Sequence, residues 1–135
     1  MTIFVDTSAL LAVLDADDAG HQIALPAWRA GVEEGDGFVT TNNVLLETTA
    51  LVQRRLGFPA LHALVDDVLP LITTVWVTEA DHTAGLSAVR AAAQRHLSLV
   101  DCVSFVVMRR LGIRRYLGLD PHFDEQGFRR YAAEG

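Results

Sequence analysis

Four acidic side chains occupy positions from which an α/β fold could gather them. Asp6 follows a β-prone run at residues 2–5, Asp120 follows another at 115–119, and Glu47 and Asp101 lie early in two apolar helical segments. Carboxylates held close together repel, and hard cations such as Mg²⁺ or Mn²⁺ relieve the repulsion through oxygen ligation. Such an ion can activate water for attack on a phosphodiester. The four acids therefore predict metal-assisted hydrolysis of nucleic acid.

Each acid taken alone also has a purely structural interpretation. Asp6 could cap the helix that follows it, and Asp120 could form a turn before Pro121. Asp101 could stabilise the first turn of its helix through the helix dipole, and Glu47 could lie on an exposed helix face. Only the joint placement of the four acids favours a metal-binding site.

The elements that must position these acids alternate along the chain. Strands are predicted at 2–5, 38–40, 71–77 and 115–119, with a last edge strand at 128–132; helices are predicted at 8–14, 18–34, 42–57, 59–69, 78–95 and 98–111. This alternation predicts an α/β fold with a central, mostly parallel sheet of four or five strands and helices on both faces. In such sheets ligands bind beyond the carboxyl ends of the strands, where Asp6 and Asp120 lie.

Length and composition exclude several other classes. A chain of 135 residues fits one domain, expected to span 1–135, and no apolar run approaches the ~20 residues of a membrane span. We expect no secretion signal and a cytoplasmic protein. Cys102 is the only cysteine, which excludes an internal disulfide and a cysteine-based zinc site.

The charge distribution gives mixed indications about nucleic acid. The formal net charge of −6 argues against binding by bulk attraction to phosphate. All 11 basic residues are arginine, and eight of them stand in adjacent pairs, which suit bidentate phosphate contacts but also commonly solvate helix ends. We expect two of these pairs to contact RNA at the rim of the acidic crevice: Arg109, Arg110, Arg114 and Arg115.

Two other functions stay open on the residues alone. An Asp-dependent phosphatase-like domain also places an aspartate after its first strand, although its usual lysine is absent because the chain contains none. A non-catalytic α/β binding module would use the acids only as caps. The histidines show no metal-ligand spacing and are expected mostly at the surface: His21, His62, His82, His96 and His122.

Four segments, in this order and spacing, resemble those of PIN domains, in particular the VapC-type toxins of bacterial toxin–antitoxin pairs. They are Ile3-Phe4-Val5-Asp6-Thr7-Ser8-Ala9-Leu10, Thr41-Asn42-Asn43-Val44-Leu45-Leu46-Glu47, Leu97-Ser98-Leu99-Val100-Asp101-Cys102-Val103-Ser104-Phe105, and Leu119-Asp120-Pro121-His122-Phe123 leading to Gly127-Phe128. The resemblance covers nearly the whole chain.

The resemblance implies a Mg²⁺- or Mn²⁺-dependent endoribonuclease that cuts structured RNA, is silenced by a small antitoxin protein and commonly forms a homodimer. It implies Asp6 and Asp101 as principal metal ligands, with Glu47 and Asp120 completing the cluster. It also implies supporting hydroxyls at Thr7 and Ser104. The family often has Thr or Ser two residues before its last acid, where this chain has Gly118, and Asp124 is a lower-ranked substitute for Asp120.

Overall fold

Strand β1 (Thr2–Val5) lies at the centre of a five-stranded parallel sheet. The computed structural model describes residues 1–132, so residues 133–135, the end of the predicted domain, lie outside the described part. The strand order is β3-β2-β1-β4-β5. The other strands are β2 (Gly37–Thr41), β3 (Ile72–Val75), β4 (Arg115–Leu117) and β5 (Arg129–Arg130). Every pair is parallel, so all carboxyl ends meet at one edge.

Helices connect the strands. They are α1 (Thr7–Leu14), α2 (His21–Glu34), α3 (Asn42–Arg55), α4 (Phe58–Ala63), α5 (Glu79–Ala92), α6 (Leu99–Leu111) and α7 (His122–Glu125). A π-helical turn (Leu64–Val68) and a 3₁₀ turn (Leu69–Leu71) follow α4. Helices α1, α3 and α6 begin close to the carboxyl edge of the sheet, which brings their first turns to the predicted crevice.

Both faces of the sheet are covered, as predicted. Phe38 of β2 stacks on Trp28 of α2 at 4.4 Å between ring centroids. Phe4 of β1 lies on the opposite face, because Phe38 is in register with Ile3 and side chains alternate along a strand. Phe4 contacts Phe123 of α7, which packs edge-to-face on Phe105 of α6. The predicted α/β architecture is confirmed.

Several element boundaries differ from prediction for local reasons. Strand β4 ends at Leu117 rather than at 119, because the Leu119 amide donates to the Ser8 hydroxyl instead of to a neighbouring strand. The predicted helix at 59–69 shortens to α4 and continues as the π and 3₁₀ turns before Pro70 and Leu71. The short helix α7 was not predicted. Among residues 1–132, no helix has both the length and the apolar character needed to cross a bilayer.

Candidate metal centre at the carboxyl ends of the strands

Asp6 lies where β1 passes into α1, and its backbone amide donates to the Leu117 carbonyl of β4 at 2.9 Å. Although Asp6 occupies the N-cap position of α1, its side chain makes no capping hydrogen bond. Its Oδ2 instead accepts from Ser8 Oγ at 2.9 Å, and the residue is only 5% exposed. The capping interpretation therefore does not account for this buried carboxylate.

Ser8 links Asp6 to the end of β4. While its hydroxyl donates to Asp6, the same oxygen accepts from the Leu119 amide at 2.9 Å. A Cβ on Gly118 would lie 3.2 Å from Asp6 Cβ and 3.3 Å from this hydroxyl oxygen. A side chain at Gly118 would therefore crowd Asp6 and Ser8, and the Ser8 hydroxyl lies beside this position. The Asp-x-Ser spacing at positions 6–8 could have indicated Ser8, which the sequence reasoning missed.

Asp101 lies in the first turn of α6 and belongs to a capping box with Ser98. The Ser98 hydroxyl accepts from the Asp101 amide, and Asp101 Oδ2 accepts from the Ser98 amide, each at 3.1 Å. Asp101 therefore does stabilise the start of α6, as its structural interpretation predicts. The same capping box fixes the orientation of its carboxylate.

Asp120 follows β4 in a turn, where its Oδ1 accepts from the His122 amide at 2.9 Å. The His122 ring nitrogen Nδ1 lies 2.8 Å from the same oxygen, yet it lacks a partner in hydrogen-bond geometry. Ligand atoms of Asp101, Asp120 and His122 all lie within 4.8 Å of one another. The prediction that the histidines lack metal-ligand spacing is wrong for His122, which the Asp-x-His spacing within a strand-end turn could have indicated.

Electrostatics ties the remaining acids to this group. Burial raises the pKa of Asp6 to about 7, with repulsion from Asp101 and then from Asp120 adding to the effect. Burial also raises the pKa of Asp101, and the negative charges of Asp120 and Glu47 contribute. Of the four predicted carboxylates, Asp101 and Asp120 belong to the compact group with His122, while Asp6 and Glu47 lie outside that group and are near enough for their charges to interact with it. The four acids, Asp6, Glu47, Asp101 and Asp120, are called the acidic cluster below.

The predicted supporting hydroxyls make their hydrogen bonds elsewhere. Thr7 Oγ1 accepts from Thr48 Oγ1 at 3.2 Å, which joins α1 to α3. Ser104 Oγ donates to the Val100 carbonyl within α6 at 2.8 Å. Asp124, the predicted substitute acid, is exposed on α7. Among these hydroxyls and the missed Ser8, only Ser8 donates directly to a carboxylate of the acidic cluster.

The prediction that the arginine pairs form the rim of the acidic crevice is wrong. Arg114 and Arg115 lie at the start of β4, whereas the acidic cluster lies beyond the carboxyl ends of the strands. Arg109 and Arg110 lie in the last turn of α6, at the opposite end from Asp101. Arg110 is moreover engaged by Asp81 of α5, with contacts of 3.0 and 2.7 Å.

The residues of the cluster fit a bound divalent cation. Asp6 is buried with a raised pKa, and the buried His122 Nδ1 lacks a hydrogen-bond partner beside two carboxylates. A cation would compensate the repulsion among the acids and would give His122 Nδ1 an atom to coordinate. The carboxylate oxygens are donors that hard divalent cations such as Mg²⁺ or Mn²⁺ prefer.

Comparison with known proteins agrees with this geometry. The sequence model of the family "PIN domain" matches residues 3–134. The chain is 37% identical to "23S rRNA-specific endonuclease VapC20" from two Mycobacterium tuberculosis strains, CDC 1551 / Oshkosh and ATCC 25618 / H37Rv, over 93% of this chain and 95% of the relative. The chain belongs to the PIN domain family, and the predicted resemblance to its VapC-type toxins is confirmed.

A solved structure is also similar. The crystal structure of Mycobacterium tuberculosis VapC20, described as a "Sarcin-Ricin loop cleaving toxin", superposes with a TM-score of 0.82 at 34% identity. The match covers 93% of this chain and 95% of that one. The agreement in sequence and in structure therefore extends over the segments that carry the acidic cluster.

Proposed function

We propose that this protein is a divalent-metal-dependent endoribonuclease, the toxin of a toxin–antitoxin pair, and that the acidic cluster is its active site. The observation that carries the proposal is the burial of Asp6 beside Asp101 and Asp120, which raises the pKa of Asp6 to about 7. A structural carboxylate at a helix start gains nothing from such repulsion, whereas a cation ligand needs neighbouring acids.

Asp6, Asp101 and Asp120 would hold the ion, with His122 beside them and Glu47 acting directly or through water. When bound, Mg²⁺ or Mn²⁺ supplies the charge that favours water as a nucleophile and stabilises the leaving oxygen of the phosphodiester. Ser8 orients Asp6, and the Ser98 capping box orients Asp101, so two ligands are fixed before substrate arrives.

For the substrate we propose structured RNA, with the sarcin–ricin loop of 23S ribosomal RNA as the first candidate. The support is that the VapC20 relatives are named for cleavage of 23S ribosomal RNA and of its sarcin–ricin loop, and that they match 93% of this chain. A ribosomal substrate would place the protein in the cytoplasm.

The direct test incubates the purified protein with a sarcin–ricin stem-loop RNA and with total RNA, in Mn²⁺, in Mg²⁺ and in chelator. New RNA ends that need the metal, and that vanish with Asp101→Asn, support the proposal. Absence of any divalent-ion binding in calorimetry would instead favour a non-catalytic binding module. Metal-dependent release of phosphate from a phosphomonoester, without RNA cleavage, would favour a phosphatase.

The proposal includes a small antitoxin partner and a homodimer. Exposed apolar side chains support an interface next to the active site: Leu46 of α3 is 74% exposed, and Trp76, directly after β3, is 73% exposed. Both line one open groove with Leu45. Light scattering coupled to gel filtration tests the dimer, since Trp76→Glu should shift the wild-type mass to that of one chain. A monomeric wild type would contradict the homodimer.

A further inference from the structure

We propose that an arginine-lined cleft at the amino ends of β4 and β5 binds phosphate groups of the RNA, at the opposite end of α6 from the acidic cluster. The inference rests on the proposed function for its substrate and adds a second contact region. This region, called the basic cleft below, is defined by Arg109, Arg114, Arg115, Phe128 and Arg129.

The basic cleft has a volume of about 750 Å³ and lies between the last turn of α6 and the first residues of β4 and β5. Four arginines line it, together with Met108, Gly112, Ile113, Gln126, Gly127 and Phe128, and none of the acidic residues within 1–132 lines it. A protein with 17 acidic and 11 basic residues thus concentrates four positive charges around one concave surface. Such clefts focus a positive potential that attracts anions.

Strand register brings two of these charges together. Arg115 of β4 is the direct partner of Arg129 of β5, so the two side chains leave the same face of the sheet. Neighbouring strands lie about 4.8 Å apart, and like charges directly opposite one another destabilise a sheet. Within residues 1–132, the ion pairs involve Arg110, His122 and the amino terminus, so no carboxylate compensates either arginine.

A third arginine is already held in place. Arg109 Nη2 donates to the Gln126 side chain at 2.8 Å and to its backbone carbonyl at 3.2 Å, and its guanidinium lies 5.3 Å from the centroid of the Phe128 ring. The helix dipole favours a cation at this end of α6 and explains Arg109 by itself. It does not explain Arg114, Arg115 or Arg129, which lie outside the helices.

Phosphate of RNA is the ligand that the charges favour. The acidic cluster repels every phosphate group of the RNA that a bound metal does not neutralise. The whole chain also carries a net charge of −6. Affinity for a polyanion must therefore come from a local basic surface. Arg109 lies eight residues after Asp101 on α6, which is about 12 Å along the helix axis. A folded RNA stem-loop is long enough to meet both ends of this helix.

The test measures binding of a labelled sarcin–ricin stem-loop RNA by fluorescence anisotropy, in the Asp101→Asn background to prevent cleavage. The double variant Arg115→Ala/Arg129→Ala should bind at least 10-fold more weakly at low salt. Its plot of log affinity against log salt should lose roughly 0.7–0.9 of slope for each lost phosphate contact. The control Arg54→Ala/Arg55→Ala removes the same charge at the exposed end of α3 and should change affinity far less.

A second variant guards against misfolding, because Arg115 is half-buried whereas Arg114 and Arg129 are exposed. Arg114→Ala/Arg129→Ala should reproduce the loss of affinity with an unchanged melting temperature. With the active site intact, both double variants should raise KM and leave kcat unchanged. Equal RNA affinities of the basic-cleft variants and the control would overturn the proposal. Binding of polyglutamate at the cleft would then identify an acidic protein as the partner instead.

The two proposals can fail separately. Metal-dependent cleavage by the wild-type chain tests the proposed function, while the variant series tests only where the RNA is held. Cleavage by the basic-cleft variants with the KM of the wild type would reject the basic cleft and keep the active site.

Discussion

Ser8 Oγ donates a hydrogen bond to Asp6 Oδ2 at 2.9 Å and at the same time accepts one from the Leu119 amide. This one hydroxyl joins the end of β1 to the end of β4, the two strands that deliver Asp6 and Asp120. The hydrogen bond also lowers the pKa of Asp6, against the larger effect of burial. Ser8 is therefore a positioning residue for the acidic cluster.

Replacing Ser8 by alanine should weaken Mn²⁺ binding and lower kcat by roughly 10-fold or more, as expected when a partner that orients a metal ligand is lost. Calorimetry with Mn²⁺ and cleavage assays measure the two effects. Ser87→Ala, at an exposed position on α5, is the matched control. Full metal affinity in Ser8→Ala would contradict the positioning role.

The raised pKa of Asp6 predicts how stability depends on pH in the absence of metal. With its pKa raised to about 7, Asp6 keeps its proton in the folded protein up to about that pH, whereas the ordinary pKa of an aspartate carboxyl is 3.8. Since the folded state binds more protons between these values, the free energy of unfolding falls as pH rises, by up to about 1.4 kcal/mol per pH unit.

Asp6→Asn removes this titration. In chelator, the variant should be more stable than the wild type at about pH 8, by an amount on the order of a few kcal/mol, and similar to it at about pH 4. Urea unfolding across this range measures the difference. A variant that is less stable than the wild type at about pH 8 would show that ionised Asp6 stabilises the metal-free fold.

His122 should contribute to metal binding, because its Nδ1 lies beside Asp101 and Asp120 without a hydrogen-bond partner. His122→Gln should weaken Mn²⁺ binding by roughly 10- to 100-fold. The exposed His96→Gln variant is the control. Calorimetry distinguishes the two, and identical affinities would remove His122 from the site.

Arg110 should act in stability rather than in RNA binding. It pairs in bidentate geometry with Asp81, which is 3% exposed, and the pair lowers the pKa of Asp81. Arg110→Ala should lower the free energy of unfolding by about 1–2 kcal/mol, because the buried carboxylate of Asp81 loses its partner. The loss stays this small because water reaches the half-exposed Arg110 side of the pair. Chemical denaturation measures this loss, with Arg54→Ala as the control that should leave stability nearly unchanged. Equal stabilities of the two variants would contradict a stabilising role for the Arg110–Asp81 pair.

The sequence predicted the fold, and the placement of the four acids near one edge of the sheet, because both depend on local patterns. Alternating strand and helix signals determine a parallel sheet, and a parallel sheet gathers whatever follows its strands. The capping residue Ser98 and the apolar stretch of α6 are readable in the same way.

What the sequence did not predict depends on contacts between distant residues. The bridge from Ser8 to Leu119 spans 111 positions, and the pair of Arg110 with Asp81 spans 29. The arginine pairs were assigned to the wrong end of the sheet because residue type indicates affinity for phosphate but not the direction of a strand or helix. His122 was missed because its position beside Asp101, 21 residues earlier in the chain, depends on how α6 packs against the turn after β4.

The most direct test of the central claim is cleavage of the sarcin–ricin stem-loop RNA by the wild type and by Asp101→Asn, each with Mn²⁺ and with chelator. Asp124→Asn, an exposed acid on α7, is the matched control. Cleavage by the wild type and Asp124→Asn only in Mn²⁺, with none by a folded Asp101→Asn, is the predicted result. Cleavage by Asp101→Asn at the wild-type rate, or by the wild type in chelator, would contradict an active site built on these carboxylates.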